Sequence, residues 1–173
     1  YHFRQNIKNK PLEGNVGAML NNCFKVSRNA YNELVFNNSQ KKNPIIFDRN
    51  SNVVKNSKHF KKLGWFLTTT VTGNYKINIQ NYLKDQKKSK SFKKPGYRYE
   101  DTDFFIAWFG LDRNFFIDYE NNTVTLNLNK SKVTFPITKN FARHKNIIKT
   151  VRLHKQKNYY YLVFEFNKYN LFD

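Results

Sequence analysis

Apolar and polar residues alternate most regularly towards the end of the chain, in the stretch FARHKNIIKTVRLHKQKNYYYLVFEF from Phe141 to Phe166. Successive side chains of a strand point to opposite faces. Tyr160, Leu162, Phe164 and Phe166 therefore make one unbroken apolar side, and Ile147, Val151 and Leu153 make a second, interrupted by Lys149. Thr150, Arg152 and His154 point the other way. The pattern predicts a hairpin with an apolar inside and a positive outside, with Arg143, His144 and Lys145 before it and Lys155 and Lys157 in its turn.

The chain opens with YHFRQNIK, an alternating strand that needs a sheet to join. From Leu12 to Phe36 the period lengthens: Val16, Met19, Leu20, Cys23, Val26, Ala30 and Leu34 recur three or four residues apart, which predicts a helix with one buried stripe. Lys25, Ser27, Arg28 and Asn32 fall mostly off that stripe. The polar run NNSQKKN before Pro44 should end the helix. Beyond it the spacing predicts a strand or loop, a polar turn, and a helix ending near Lys62 or Gly64. Thr68 to Gly73 reads as β-branched and turn-like, and Thr72 as the cap of a helix through Tyr75, Ile79, Tyr82 and Leu83, with a strand through KINI as the competing reading. After Asp101 almost everything is strand-like. DFFIAWF, NFFIDY, TVTLNLN and KVTFPI follow at close spacing, with a turn at Asn121-Asn122 and Pro136 marking an edge or strand end. The expected class is α+β: a small antiparallel β-barrel of about six strands, with a helical insertion after the first strand.

Composition sharpens this picture. The 173 residues suffice for a real core, and 17% aromatic content makes that core aromatic and strand-favouring. Thirty-one Lys plus Arg against 12 Asp plus Glu give a formal charge of +19. An AT-rich genome would inflate Lys and Asn but not deplete acids, so the imbalance points to a polyanionic partner, and to nucleic acid before a membrane surface. The one cysteine, Cys23, excludes an internal disulfide and reads as a small buried hydrophobe. No apolar run is long enough to span a bilayer. A start at Tyr1, with neither methionine nor a signal-like core, is expected of a piece of something longer.

Candidate chemistry is sparse. The sequence has no Gly-rich phosphate loop with a following lysine, no paired cysteines and no HExxH spacing. Asp101 and Asp103 are close enough to share a metal, but at a strand start a turn-capping role is the favoured reading. Glu165 sits in an apolar strand, where outward exposure accounts for it. KDQKKSKSFKKPGYRY interleaves cations with Phe92, Tyr97 and Tyr99, and two readings stand level: a solvated linker, or a loop that holds a phosphate backbone and stacks bases. Lys61 and Lys62 lie at a basic helix end, where a dipole contact competes with a phosphate contact.

The order of these parts resembles the TnpB-type transposon nucleases and their compact type V CRISPR effector relatives. The residues carrying the likeness are YHFRQNI, then MLNNCFKVSRNAYNELV with Arg28, Tyr31, Asn32 and Leu34, then SFKKPGYRY, then IIKTVRLHKQKNYYYLVFEF. The resemblance implies a wedge-type barrel from residues 1–8 and 100–168, and a helical recognition insertion with a basic linker at 9–99. It further implies a structured guide RNA gripped by the barrel and double-stranded target DNA read beside the target. Cutting would belong to a RuvC-like domain with Mg2+ that lies outside this chain, in the same polypeptide or a partner chain. Asp173 lacks the neighbours of a first catalytic aspartate and is not assigned.

The resulting expectation is a nucleic-acid-binding, non-catalytic half of an RNA-guided DNA endonuclease, intracellular and nucleoid-associated in a prokaryote or its virus, with no membrane partner and no cofactor of its own. Lys93, Lys94, Arg98, Arg143, Lys145, Arg152, Lys155 and Lys157 are the expected phosphate contacts, and Tyr97 and His144 the expected stacking residues. Arg28 is expected on a helix surface, contacting nucleic acid or an acid. The rival readings are a free-standing RNA- or DNA-binding barrel and a basic structural protein that neutralises packaged nucleic acid.

Overall fold

The computed structural model describes residues 2–7, 15–88, 93–128, 131–138 and 148–166. The chain divides into two compact units, Tyr1–Leu20 with Asp103–Asp173, and Asn21–Thr102.

The first unit is antiparallel β. Strands β1 (His2–Ile7), β2 (Phe104–Phe109), β6 (Ile148–Gln156) and β7 (Tyr159–Phe166) form a four-stranded sheet in the order β1-β7-β6-β2. Strands β3 (Phe115–Asp118), β4 (Thr123–Leu128) and β5 (Ser131–Pro136) form a three-stranded sheet in sequence order. The α+β class and the strand positions follow the alternation in the sequence. The ladders among the described residues form two separate sheets, seven strands in all, and not one continuous closed ladder.

Each sheet buries the face that its alternation predicts. In the larger one Phe104, Ile106, Trp108, Val151, Leu153, Tyr160, Leu162, Phe164 and Phe166 are all buried, and in the smaller one Phe115, Val124, Leu126, Val133 and Phe135. The interruption at Lys149 is a bulge: the β6–β7 register shifts between Ile148 and Thr150. The extra residue returns Ile148 to the buried face opposite Phe166 and leaves Lys149 outside, 3.7 Å from Glu165. Glu165 also accepts a 3.1 Å hydrogen bond from the Thr150 hydroxyl.

The edges of the two sheets are tied. At one seam β2 leads into β3 through the short connection 110–114, and the indole of Trp108 donates to the Asn127 carbonyl at 2.7 Å. At the other, the buried Gln5 amide donates to the Pro136 carbonyl at 2.6 Å and accepts from the Thr138 N–H at 2.9 Å. Pro136, which has no N–H to offer a ladder, ends edge strand β5 as expected.

The second unit is helical, and its first helix begins within the first unit, before Asn21. Helix α1 (Asn15–Ser39) matches the predicted span, but its buried stripe is rotated: Leu20, Phe24, Tyr31, Leu34 and Val35 are buried, whereas Val16 is 37% exposed. The larger rings of Phe24 and Tyr31 bury more apolar area than Val16 or Val26 and set the inward face. Helix α2 (Asn52–Lys55) is short, and α3 (Lys58–Gln86) is two helical pieces joined at Gly64, whose φ of 74° and ψ of 178° suit only glycine. The expected helix end near Gly64 is thus a kink. Ser57 caps the first piece by accepting from the Phe60 N–H at 3.2 Å.

Thr68 to Gly73 is helical and not a turn, and the strand through KINI does not form. The β-branched hydroxyls are absorbed by the helix itself. Thr72 donates to the Thr68 carbonyl at 2.8 Å and Thr69 to the Trp65 carbonyl at 2.9 Å, while burial of Leu67, Val71, Tyr75 and Ile79 outweighs their weak helix propensity.

Candidate nucleic-acid interface

Two groups of cations and aromatics deserve comparison, one on each unit. On the first unit, the outer face of the four-stranded sheet follows from the register. Tyr161 opposes His154, which opposes Phe105. Their rings stand beside one another across three strands: His154 stacks on Tyr161 with centroids 4.4 Å apart and lies 4.9 Å from Phe105. Arg4 sits over Tyr161 at 3.8 Å, and Arg152 over Phe105 at 5.1 Å. Ring faces are thereby taken up by neighbouring rings and guanidinium groups, so no free platform is left on them for a base.

Asp103, just before β2, holds the centre of this row. It accepts from the Tyr161 hydroxyl at 2.7 Å and lies 3.0 Å from His154 Nδ1. Partial burial pushes the Asp103 carboxyl up, but hydrogen bonds from His154 and Tyr161 and the charge of Arg4 prevail and hold it below its ordinary value. Burial, with the bond to Asp103, pushes the Tyr161 hydroxyl up to about 12. The Asp–His pair has the look of catalytic machinery, yet His154 Nε2 is buried without a hydrogen-bond partner among the described residues, out of reach of a substrate. The carboxylate at Asp103 therefore anchors a side-chain row, while Asp101 is exposed in the preceding turn.

The expected positive wall of the hairpin needs correction at this point. Lys155 is only 3% exposed, because its register places it on the inner face opposite Tyr160 and Phe104, and its ammonium donates to the Lys157 carbonyl at 2.7 Å. It braces the turn and is not a phosphate contact. Arg152 is half-buried beside Phe105, with Nε unpartnered among the described residues. Lys157 is exposed at the turn with φ 54°. Arg143, His144 and Lys145 lie outside the described residues.

On the second unit, the expected linker is pinned down at one end. The Asn32 side chain accepts from the Arg98 N–H at 2.7 Å and donates to the Arg98 carbonyl at 2.8 Å, pairing with that segment as a neighbouring strand would. Tyr31 lies edge-on to Tyr75 at 5.4 Å, accepts from Asn78 at 2.7 Å and lies under the Arg98 guanidinium at 5.6 Å. These motif positions have packing roles. Arg28 is only 9% exposed and its Nη1 has no hydrogen-bond partner among the described residues, so the surface position expected for it is wrong; it turns inward with the rotated stripe. Lys94 donates to the Lys41 carbonyl at 2.7 Å and is thereby partly committed to structure. Lys93 is exposed and, with Arg98, Asn78, Tyr82 and Asp85, lines a cleft of about 220 Å³. Tyr97 is 40% exposed, and Lys61 and Lys62 are both exposed.

Sequence reasoning missed a larger cleft of about 420 Å³ at the Gly64 kink, lined by Arg49, Asn50, Lys55, Lys61, Trp65 and neighbouring apolar side chains. The signal was a tryptophan directly after a glycine, three residues beyond a lysine pair, at a predicted helix end. Cys23, read as buried, is half-buried, and burial pushes its thiol up to about 12, away from thiolate chemistry. Among the described residues no three His, Cys, Asp or Glu side chains converge as metal ligands, and no helix is long and apolar enough to cross a membrane.

No family model matches the chain, and no curated protein matches it.

Proposed function

We propose that this chain binds nucleic acid, and that it serves as the RNA-holding, non-catalytic part of an RNA-guided DNA endonuclease of the TnpB kind. The carrying observation is the charge of the second unit. Its sequence has 17 lysines and arginines against 5 acids, a net +12, and Lys55, Lys58, Lys61, Lys62, Lys87, Lys88 and Lys93 all lie exposed to solvent. Such a field is costly in self-repulsion unless a polyanion relieves it. Held that way, a phosphate backbone would release its counterions and bind with strong salt dependence.

On this reading the two sheets are walls of a small wedge-type barrel, its seams closed by Gln5 and by the β2–β3 connection. A guide RNA and the duplex beside a DNA target are the partners, since pairing reads sequence and the protein has only to hold backbones. The nuclease and its Mg2+ belong to chain outside this sequence or to a partner.

The test is to purify the protein from cells carrying its native locus and sequence the RNA that comes with it. One defined species transcribed from that locus is expected. Bound nucleic acid that is heterogeneous would favour a packaging role instead, and protein free of nucleic acid that also ignores added RNA would sink the proposal.

A further inference from the structure

The cleft at the Gly64 kink is built differently from the rest of the basic surface. Its lining contains three cations, Arg49, Lys55 and Lys61, and no carboxylate, whereas the smaller cleft beside Lys93 includes Asp85. Asp48, the nearest acid in sequence, does not line it; that carboxylate accepts from the Asn50 N–H at 2.8 Å in its own turn. Trp65 at its rim is 63% exposed, although an indole left in water forfeits much of the free energy that burial would supply. The Arg49 guanidinium lies 5.3 Å over the ring, close enough for cation–π attraction, yet most of the residue stays open. Gly64 lines the cleft without a side chain, in a backbone conformation that keeps other residues out. Asn50 and Thr68 add polar groups to the walls.

An open indole, cations within the same cleft and a volume of about 420 Å³ match the two halves of a nucleotide, a flat base and a phosphate. We propose that this cleft receives one unpaired nucleotide of a bound nucleic acid, with its base stacked on Trp65 and its phosphate held by Lys55 and Lys61. The inference rests on the nucleic-acid-binding reading above and adds a place and a mode to it. The row of Phe105, His154 and Tyr161 on the outer sheet face of the first unit offers no equivalent, because the faces of those rings are already occupied.

The chain carries its own reporter. It has two tryptophans, Trp108 with no exposure and Trp65 at the cleft, so solvent-sensitive emission and iodide quenching report on Trp65. The full chain is titrated with a single-stranded RNA 12-mer of mixed sequence and, separately, with a 12-mer of the same charge whose nucleotides are abasic. The base-bearing oligomer is expected to quench Trp65 and shield it from iodide; the abasic one is not. Trp65→Leu should weaken the base-bearing oligomer by about tenfold, as loss of one stacked base does, and leave the abasic oligomer unchanged. Trp65→Phe should restore much of that loss. Lys55→Gln with Lys61→Gln should flatten the slope of log K against log salt for both oligomers by about 1.4, at about 0.7 for each lost contact. Salt-dependent binding that is the same in wild type and Trp65→Leu, with no quenching, would overturn the cleft while leaving the general reading intact. If neither oligomer binds, both fall together.

Discussion

The two units use the same residue types for opposite ends. In the first, Arg4, Tyr161, His154, Phe105 and Arg152 form a closed row in which each ring is covered by the next, with Asp103 bonded at its centre. In the second, Trp65 has the Arg49 guanidinium over its ring yet stays 63% exposed beside Lys55 and Lys61, with no acid lining the cleft. The first unit carries 14 cations against 7 acids, a net +7, and the second 17 against 5, a net +12. An aromatic next to a cation is a binding feature only while the ring face is free and the charge unanswered. In that row the ring faces are taken, and Asp103 answers the charge of Arg4.

That contrast can be broken most decisively by charge removal. Replacing Lys55, Lys61, Lys62 and Lys93 with Gln should flatten the slope of log K against log salt for RNA binding by about 3, at about 0.7 for each lost phosphate contact on a single strand. Arg4→Ala with Arg152→Ala should change that slope by less than about 1. Fluorescence anisotropy across a salt series decides it, and a larger effect from the sheet pair would reverse the comparison.

Stability gives the next tests. Gln5→Ala removes three hydrogen bonds at one seam and leaves the Pro136 carbonyl, the Thr138 N–H and the Thr138 hydroxyl without that partner, a loss of about 2–3 kcal/mol in urea unfolding. Gly64→Ala puts a Cβ on a residue at φ 74° and should cost about 1–3 kcal/mol, read from the helical circular dichroism. An alanine there that cost nothing would show that the kink is not held as described.

The pH response should separate the units too. The Asp103 carboxyl lies below its ordinary value in the folded protein, so its contribution is fully present above the unfolded value, about 4, and is lost as pH falls through the lower folded one. Tyr161 runs the other way: with its hydroxyl pushed up to about 12, its contribution is present below the ordinary value near 10 and fades as pH rises towards 12. Asp103→Asn should shallow the acid decline of the first unit's unfolding and lower the Tyr161 titration seen by ultraviolet absorbance. Unaltered curves would remove Asp103 from the row. The smallest effect expected is a gain: Lys157→Gly relieves a residue at φ 54° in the β6–β7 turn and should add about 0.5–1 kcal/mol, since the carbonyl that receives the Lys155 ammonium is kept.

Much of the fold was legible because burial has a local period. Tyr160, Leu162, Phe164 and Phe166 alternate in sequence and all four are buried; Val124, Leu126 and Leu128 do the same. Where the reading went wrong, a competing local signal had been weighed without its surroundings. The threonines at 68–72 resembled a turn until their hydroxyls bonded back within a helix, and Val16 was favoured over Phe24 and Tyr31 by spacing alone. The candidate interface was less legible. Lys61, Lys62 and Lys93 are exposed as expected, but Arg28 and Lys155 are inside, and Trp65 and Arg49 were passed over.

By itself, the sequence determined the α+β class, the positions of the strands and of helix α1, and the large positive charge, since each depends on neighbours a few residues apart or on composition. Only the tertiary structure decided which cations face water and which rings stay open. Lys155 is inside because β6 pairs with β2 and β7 in one register, and a one-residue shift would have put it outside. Trp65 reaches a cleft because Gly64 bends α3 beside the turn that carries Arg49. Those outcomes hang on contacts between residues distant in sequence, and no local period encodes them.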